Sequence, residues 1–341
     1  MVSYVNIFFW MLLLGIFVLI GSTKKDVCGQ FGFMSKDTTN ALRGAASLLI
    51  MSQHIGGKLG TAVLTPLGGI GVAIFLICSG YGLNESYVQN RNIKSKHLKQ
   101  YWLKKIWKVF LPYAGVEALF FFLLSDTERY QRLTAADYFL DLSCIRPVYW
   151  YLQEILLCYV IFFFCILTPK LYRYKYLILG GTSVLMFLVS PGLMSEQAFA
   201  FLIGVAISDQ KEKARQFLTK KSVLGVIFCV STGALLVKQL PMVRVWSDTW
   251  LYTFLQILIK TLMALVMIGG AGRVKNSMNN AFLGFMGKIS YEIYLIHYGI
   301  LLLFDLKQSV VLQMLFFLIS SIFLAWCYHS LWKILRRSIR V

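Results

Sequence analysis

Eleven apolar runs, separated by short polar connections, recur along the chain at 4–21, 41–57, 66–83, 108–125, 148–167, 176–190, 198–208, 222–237, 251–270, 281–304 and 309–330. Most are about 17 to 25 residues, enough at ~1.5 Å per helical residue to cross a hydrocarbon layer about 30 Å thick. The pattern predicts an all-α polytopic membrane protein with about 11 transmembrane helices. The run at 198–208 is short for a span, so a tilted or broken helix fits it, and its loss would invert everything that follows. The first run, MVSYVNIFFWMLLLGIFVLIGSTKK, lacks a basic leading region and a clear small-residue cleavage site, and its lysines stand at the far end. It reads as a retained helix and not as a signal peptide.

Composition agrees, with 58% hydrophobic residues, 14% charged residues and a mean hydropathy of +0.67. The net charge of +19 raises the question of nucleic acid. Nucleic-acid binding needs basic residues gathered on one face with stacking aromatics, whereas here they recur between apolar runs, so no nucleic-acid partner is expected. With the N-terminus outside, 24 of the basic residues fall in inner connections and seven in outer ones. That bias supports an odd number of spans and a cytoplasmic C-terminus in a multi-pass protein of the cell membrane. Seven cysteines form no CxxC and no zinc-like spacing with histidine, so neither disulfides nor a metal site is expected.

The second run, ALRGAASLLIMSQHIGG, places Arg43 and His54 in an apolar setting. Eleven residues of helix turn the chain about 20° past three full turns and rise about 16 Å, so both side chains share one face. Arg43 sits at the cytoplasmic mouth and His54 beyond the midplane. A snorkelling or paired arginine and a packed, hydrogen-bonded histidine account for each residue separately. Together they describe a lane with an anion holder at one end and a titratable base further along.

The stretch RGAASLLIMSQH resembles the Arg-x10-His motif of the membrane acyltransferase 3 family, the O-acyltransferases of surface polysaccharides. GGIGVAIFLICSGYGL (68–83) is similar to the family's Gly-Val-x-x-Phe-Phe-x-x-Ser-Gly-Phe pattern through Gly71, Val72, Phe75, Ser79, Gly80 and Tyr81. WLKKIWKVFLPY, YWYLQEILLCY, FLIG and GKISYEIYLIHY follow in the family's order. Ala73 departs from it, standing where many members carry an acidic residue. The resemblance implies a ten-span acyltransferase domain over 38–341, preceded by an extra N-terminal helix and loop over 1–37. It also implies transfer of an acyl group, most simply acetyl, from cytoplasmic acyl-CoA to a sugar hydroxyl, with acetyl-CoA as a substrate and no permanently bound cofactor.

Such a transfer needs a base for the hydroxyl proton, and imidazole titrates near neutrality, which makes His54 the catalytic candidate. Glu154, an acidic side chain within a span, is the candidate to orient His54 or a substrate hydroxyl. Arg43, with Lys104, Lys105 and the rest of the basic run at 91–108, supplies donors for the phosphates of acyl-CoA, although anionic lipid headgroups explain the same lysines. Ser79, Gly80 and Tyr81 close the third helix on that side, where close helix packing is the other explanation for the small residues. For the acceptor, Trp150 and Tyr151 suit either sugar stacking or an interfacial aromatic belt, and Gln153 lies deeper. His297 shares a helix face with Ser290 and Tyr294 and suits either the acceptor path or a packed role. His97 and His329 are expected to have no specific role.

The expected partners are acyl-CoA, a glycan or lipid-linked glycan, and membrane lipids. The main rival is an acyl-group or glycan transporter, but the inverted repeats and paired broken helices common in transporters are not visible. A catalytically dead sensor is disfavoured by the presence of both Arg43 and His54. The basic tail WKILRRSIRV leaves no appended extracytoplasmic domain, so His54 is expected to meet its acceptor without a second transferase.

Overall fold

The apolar runs fold as helices in a computed structural model that describes residues 4–22, 32–90, 94–131, 134–145, 149–189, 192–273, 278–304 and 309–338. Those residues are helical or irregular, with no strand among them. In chain order the first helices are α1 (Tyr4–Ser22), α2 (Lys36–Lys58), α3 (Thr65–Gln89), α4 (Lys94–Lys105) and, after a π-helical turn at Ile106–Phe110, α5 (Leu111–Leu123). Two short helices, α6 (Glu128–Gln131) and α7 (Ala135–Leu142), lead to α8 (Trp150–Ile166), α9 (Pro169–Arg173) and α10 (Lys175–Val189). There follow α11 (Ala200–Asp209), α12 (Lys211–Leu218), α13 (Lys221–Gln239), α14 (Pro241–Arg244) and α15 (Trp250–Arg273). The last are α16 (Ala281–Lys288), α17 (Ser290–Leu302) and α18 (Val310–Ser338).

Six helical segments among the described residues are long and apolar enough to cross a membrane: α1, α3, α4 continued through α5, α13, α15 and α18. The 23-residue α2 has the length but not the apolarity, because Arg43, Gln53 and His54 interrupt it. The 17-residue α8 and 15-residue α10 are apolar but shorter, and the run at 281–304 divides into α16 and α17 at Ile289.

Burial separates the centre of the bundle from its rim. The apolar window of α3 is 72% buried, against 17% for α1 and 11% for α13, so α3 is an interior helix while the other two present apolar side chains outward, as lipid-facing helices do. α2 lies along α3, with α16 on its other side, and α11 and α15 pack on α3.

Glycines set the closest crossings. A Cβ on Gly80 would lie 2.2 Å from the Phe201 carbonyl oxygen, and one on Gly204 would lie 2.1 Å from that of Ile77. A side chain at either position would drive α3 and α11 apart. Gly44 and Gly287 play the same part between α2 and α16.

α1 is fastened to this core. Trp10, fully buried, donates from Nε1 to Ser52 Oγ of α2 at 2.9 Å, and its ring lies 6.0 Å from that of Phe317 on α18. Asn280, whose side chain caps α16, also donates to the Val18 carbonyl at 2.8 Å.

Candidate functional site

Two cavities open toward opposite ends of α2, α3 and α8. The first, of about 340 Å³, takes Ile50, Gln53 and His54 from α2, the opening turns of α3, and Trp150 from the start of α8. The second, of about 730 Å³, takes Lys36, Thr39 and Arg43 from α2, residues of α3 from Cys78 onward, and Tyr159 from α8. The helix of about 16 Å between Arg43 and His54 therefore carries one of them into each cavity.

The His54 cavity is built around two imidazoles. The rings of His54 and His297 stand 5.0 Å apart and tilted by 52°, with Tyr298 edge-on to His54 at 5.9 Å. His297 is 1% exposed, and its Nδ1 lies 2.8 Å from the Ile293 carbonyl oxygen. A carbonyl only accepts, so Nδ1 carries the proton and Nε2 is left with its lone pair. Nε2 is buried without a partner in a wall of the cavity. A buried acceptor in that state is a place for a donor from outside the protein, such as a hydroxyl. Glu196 and Lys260 form a buried ion pair in the same wall.

Arg43 opens on a cavity of different character. Lys36, Arg43, Lys104, Lys105, Lys108 and Lys211 face it, against Glu85 as its acidic residue. Lys105 stands over the Tyr159 ring at 3.6 Å, and Tyr101, which donates to the Tyr159 carbonyl at 2.8 Å, supports that ring's backbone. Lys211, on the amphipathic α12 outside the apolar helices, is held above the usual ammonium range by its hydrogen bond to Tyr81. A concave surface with such an excess of cationic donors suits a polyphosphate.

Most of the residues singled out in the sequence fall in one of the two cavities. His54, Trp150 and His297 line the first, and Arg43, Ser79, Tyr81, Lys104 and Lys105 line the second. Gly80 lines neither and serves the α3–α11 crossing. Tyr151 is buried behind the first cavity, its ring 5.1 Å from Tyr294 and 6.0 Å from Phe75. Glu154 is 1% exposed and lines neither cavity, and its Oε2 has no partner. Gln153 is exposed and lines neither cavity. The His97 side chain lies outside the described residues, whereas His329 has a definite contact, 2.8 Å from Glu292 Oε1.

Sequence reasoning overlooked the pair Glu196 and Lys260. Lys260 stands in the middle of an apolar run, a signal that by itself marks an intramembrane functional candidate. Its partner, 64 positions away in the chain, had no local signature. Lys36, Lys211 and Glu85 were missed for the same reason: only the folded chain gathers them around Arg43.

A family model described as an acyltransferase domain matches residues 38–332. Comparison with curated proteins and with solved structures gives no match.

Proposed function

Since this match spans most of its length, the chain belongs to the acyltransferase 3 family, and from that premise we propose that it is an integral membrane O-acyltransferase acting on an envelope glycan. The donor is cytoplasmic acyl-CoA, most simply acetyl-CoA, and the acceptor is a hydroxyl of a capsular polysaccharide, exopolysaccharide or related glycan. One observation carries this reading: Arg43 and His54, on a single helix, open on two cavities at opposite ends of the bundle.

In this mechanism the nucleotide and its phosphates stay in the basic cavity, held by Arg43 and the lysines around it. Only the thin pantetheine arm passes between α2, α3 and α8, presenting the thioester to His54. The acceptor hydroxyl gives its proton to His54 as its oxygen attacks the thioester carbonyl. Collapse of the tetrahedral intermediate breaks the carbon–sulfur bond, and the coenzyme A thiolate leaves and is protonated by the imidazolium. His297, through its bare Nε2, orients the hydroxyl beside His54, and Trp150 offers a face to the sugar ring. Glu154 acts from behind Tyr151 as a positioning residue, and Tyr151 and Gln153 stay secondary candidates for the acceptor side.

The topology that serves this chemistry has about 11 spans, the N-terminus outside and the C-terminus in the cytoplasm. Residues 1–37 then form an accessory helix and loop on a catalytic domain at 38–341. The basic cavity faces the cytoplasm, where acyl-CoA is found.

Glycan NMR on cells carrying the native chain, His54→Ala or His297→Ala tests the reading. Loss of a general base costs about 10²- to 10⁴-fold, so His54→Ala is expected to erase one set of O-acyl signals while the protein remains at normal level in the membrane. His297→Ala should reduce the same signals less. Undiminished signals in His54→Ala refute the assignment of the base.

A further inference from the structure

The transfer chemistry leaves one feature of the His54 cavity unused, namely its charge. Besides the two histidines and three tyrosines, its ionisable side chains are Glu196, Lys238 and Lys260. Glu196 and Lys260 cancel each other in an ion pair whose side chains are only 10% and 9% exposed. Lys238, on the last turn of α13, has no carboxylate within ion-pair distance among the described residues. Its ammonium stands 5.6 Å from the ring of Tyr252, and the charges that act on it are those of Lys260, Glu196 and Arg244.

The cavity therefore holds two lysines against one carboxylate, an excess of one cation, together with the amides of Gln53 and Gln256 and the indole of Trp150. A half-buried ammonium with no carboxylate in contact is costly in a low-dielectric wall, and an incoming anion would relieve that cost. A neutral sugar would be held by the amides and the aromatic face alone. A lysine at a helix end can also snorkel toward anionic headgroups, but Lys238 contributes to the lining of the cavity.

We propose that the acceptor is an anionic glycan, whose carboxylate or phosphate, on the acylated sugar or its neighbour, docks on Lys238. The Glu196–Lys260 pair keeps the rest of the wall neutral, so the anion is directed to one point. With Lys238 on one wall and His54 and His297 on another, that contact fixes which hydroxyl reaches the imidazoles. The inference rests on the acyltransferase reading.

The test begins by isolating the glycan whose O-acylation is lost in His54→Ala cells and determining the composition of its repeat unit. An acidic sugar or a phosphate at or next to the acylated residue is expected, and distinguishing a uronic acid from a phosphodiester names the anion. Steady-state transfer to that glycan is then measured in vesicles of zwitterionic lipid. Losing one charge-assisted contact should raise KM about tenfold in Lys238→Gln, more than it lowers kcat, and Lys238→Arg should restore most of the loss.

A neutral repeat unit, or an unchanged KM in Lys238→Gln, overturns the proposal and leaves the acyltransferase reading standing. A Lys238→Gln protein that loses membrane level but keeps its KM assigns the lysine to headgroups and also overturns it. If His54→Ala alters no glycan, the acyltransferase reading fails and this proposal goes with it.

Discussion

At the scale of single residues, the helical period made Arg43 and His54 legible, because a spacing of eleven is a local property of one helix. The tautomer of His297 was not legible. It depends on the carbonyl of Ile293, 2.8 Å from Nδ1, and on the burial of Nε2 by other helices. Arg43 is the residue whose chemistry is easiest to isolate. A guanidinium forks onto phosphate with two parallel N–H donors, whereas an ammonium offers a point charge. Arg43→Lys is accordingly expected to raise KM for acyl-CoA about tenfold or more, the size of one lost charge-assisted hydrogen bond, with little change in KM for the glycan. Initial rates at varied acyl-CoA check this, and an unchanged KM would reduce Arg43 to an anchor for its helix.

Among the elements, every apolar run corresponds to helix, but the sequence did not disclose where helices break or how they cross. The run at 281–304 looked continuous because its hydropathy is. It divides at Ile289, so that α16 brings Gly287 against the backbone of Asn40 while α17 carries Tyr294, His297 and Tyr298 to the cavity. Likewise, Ser79, Gly80 and Tyr81 formed one motif in sequence but divide in space, Gly80 against α11 and its two neighbours toward the basic cavity. Gly80→Val should cost about 3 kcal/mol or more, because the clashing atom belongs to the Phe201 backbone and cannot swing away. Gly82→Ala, with nothing within 4 Å of the added carbon, should be tolerated. Thermal unfolding of the two variants in detergent checks the contrast, and equal midpoints would mean that the α3–α11 crossing is looser than described.

For the whole molecule, composition and hydropathy suffice to mark a multi-helix membrane protein, since both are sums over the chain. The pairing of a basic cavity with a histidine cavity at its two ends was not legible, because residues from eight or more separate elements converge to build them. If these cavities are the two mouths of one acyl-transfer lane, transfer across the membrane must be sided. Purified protein is reconstituted in liposomes of known orientation, with radiolabelled acyl-CoA added only on the face bearing Arg43 and the acceptor glycan enclosed only on the face bearing His54. Label covalently bound to the enclosed glycan is expected, with none when acyl-CoA is added on the His54 face alone and none with His54→Ala. Label that crosses only as free acid, or that reaches the glycan only after a second protein is supplied, would make the chain an exporter of acyl groups and overturn the transferase reading.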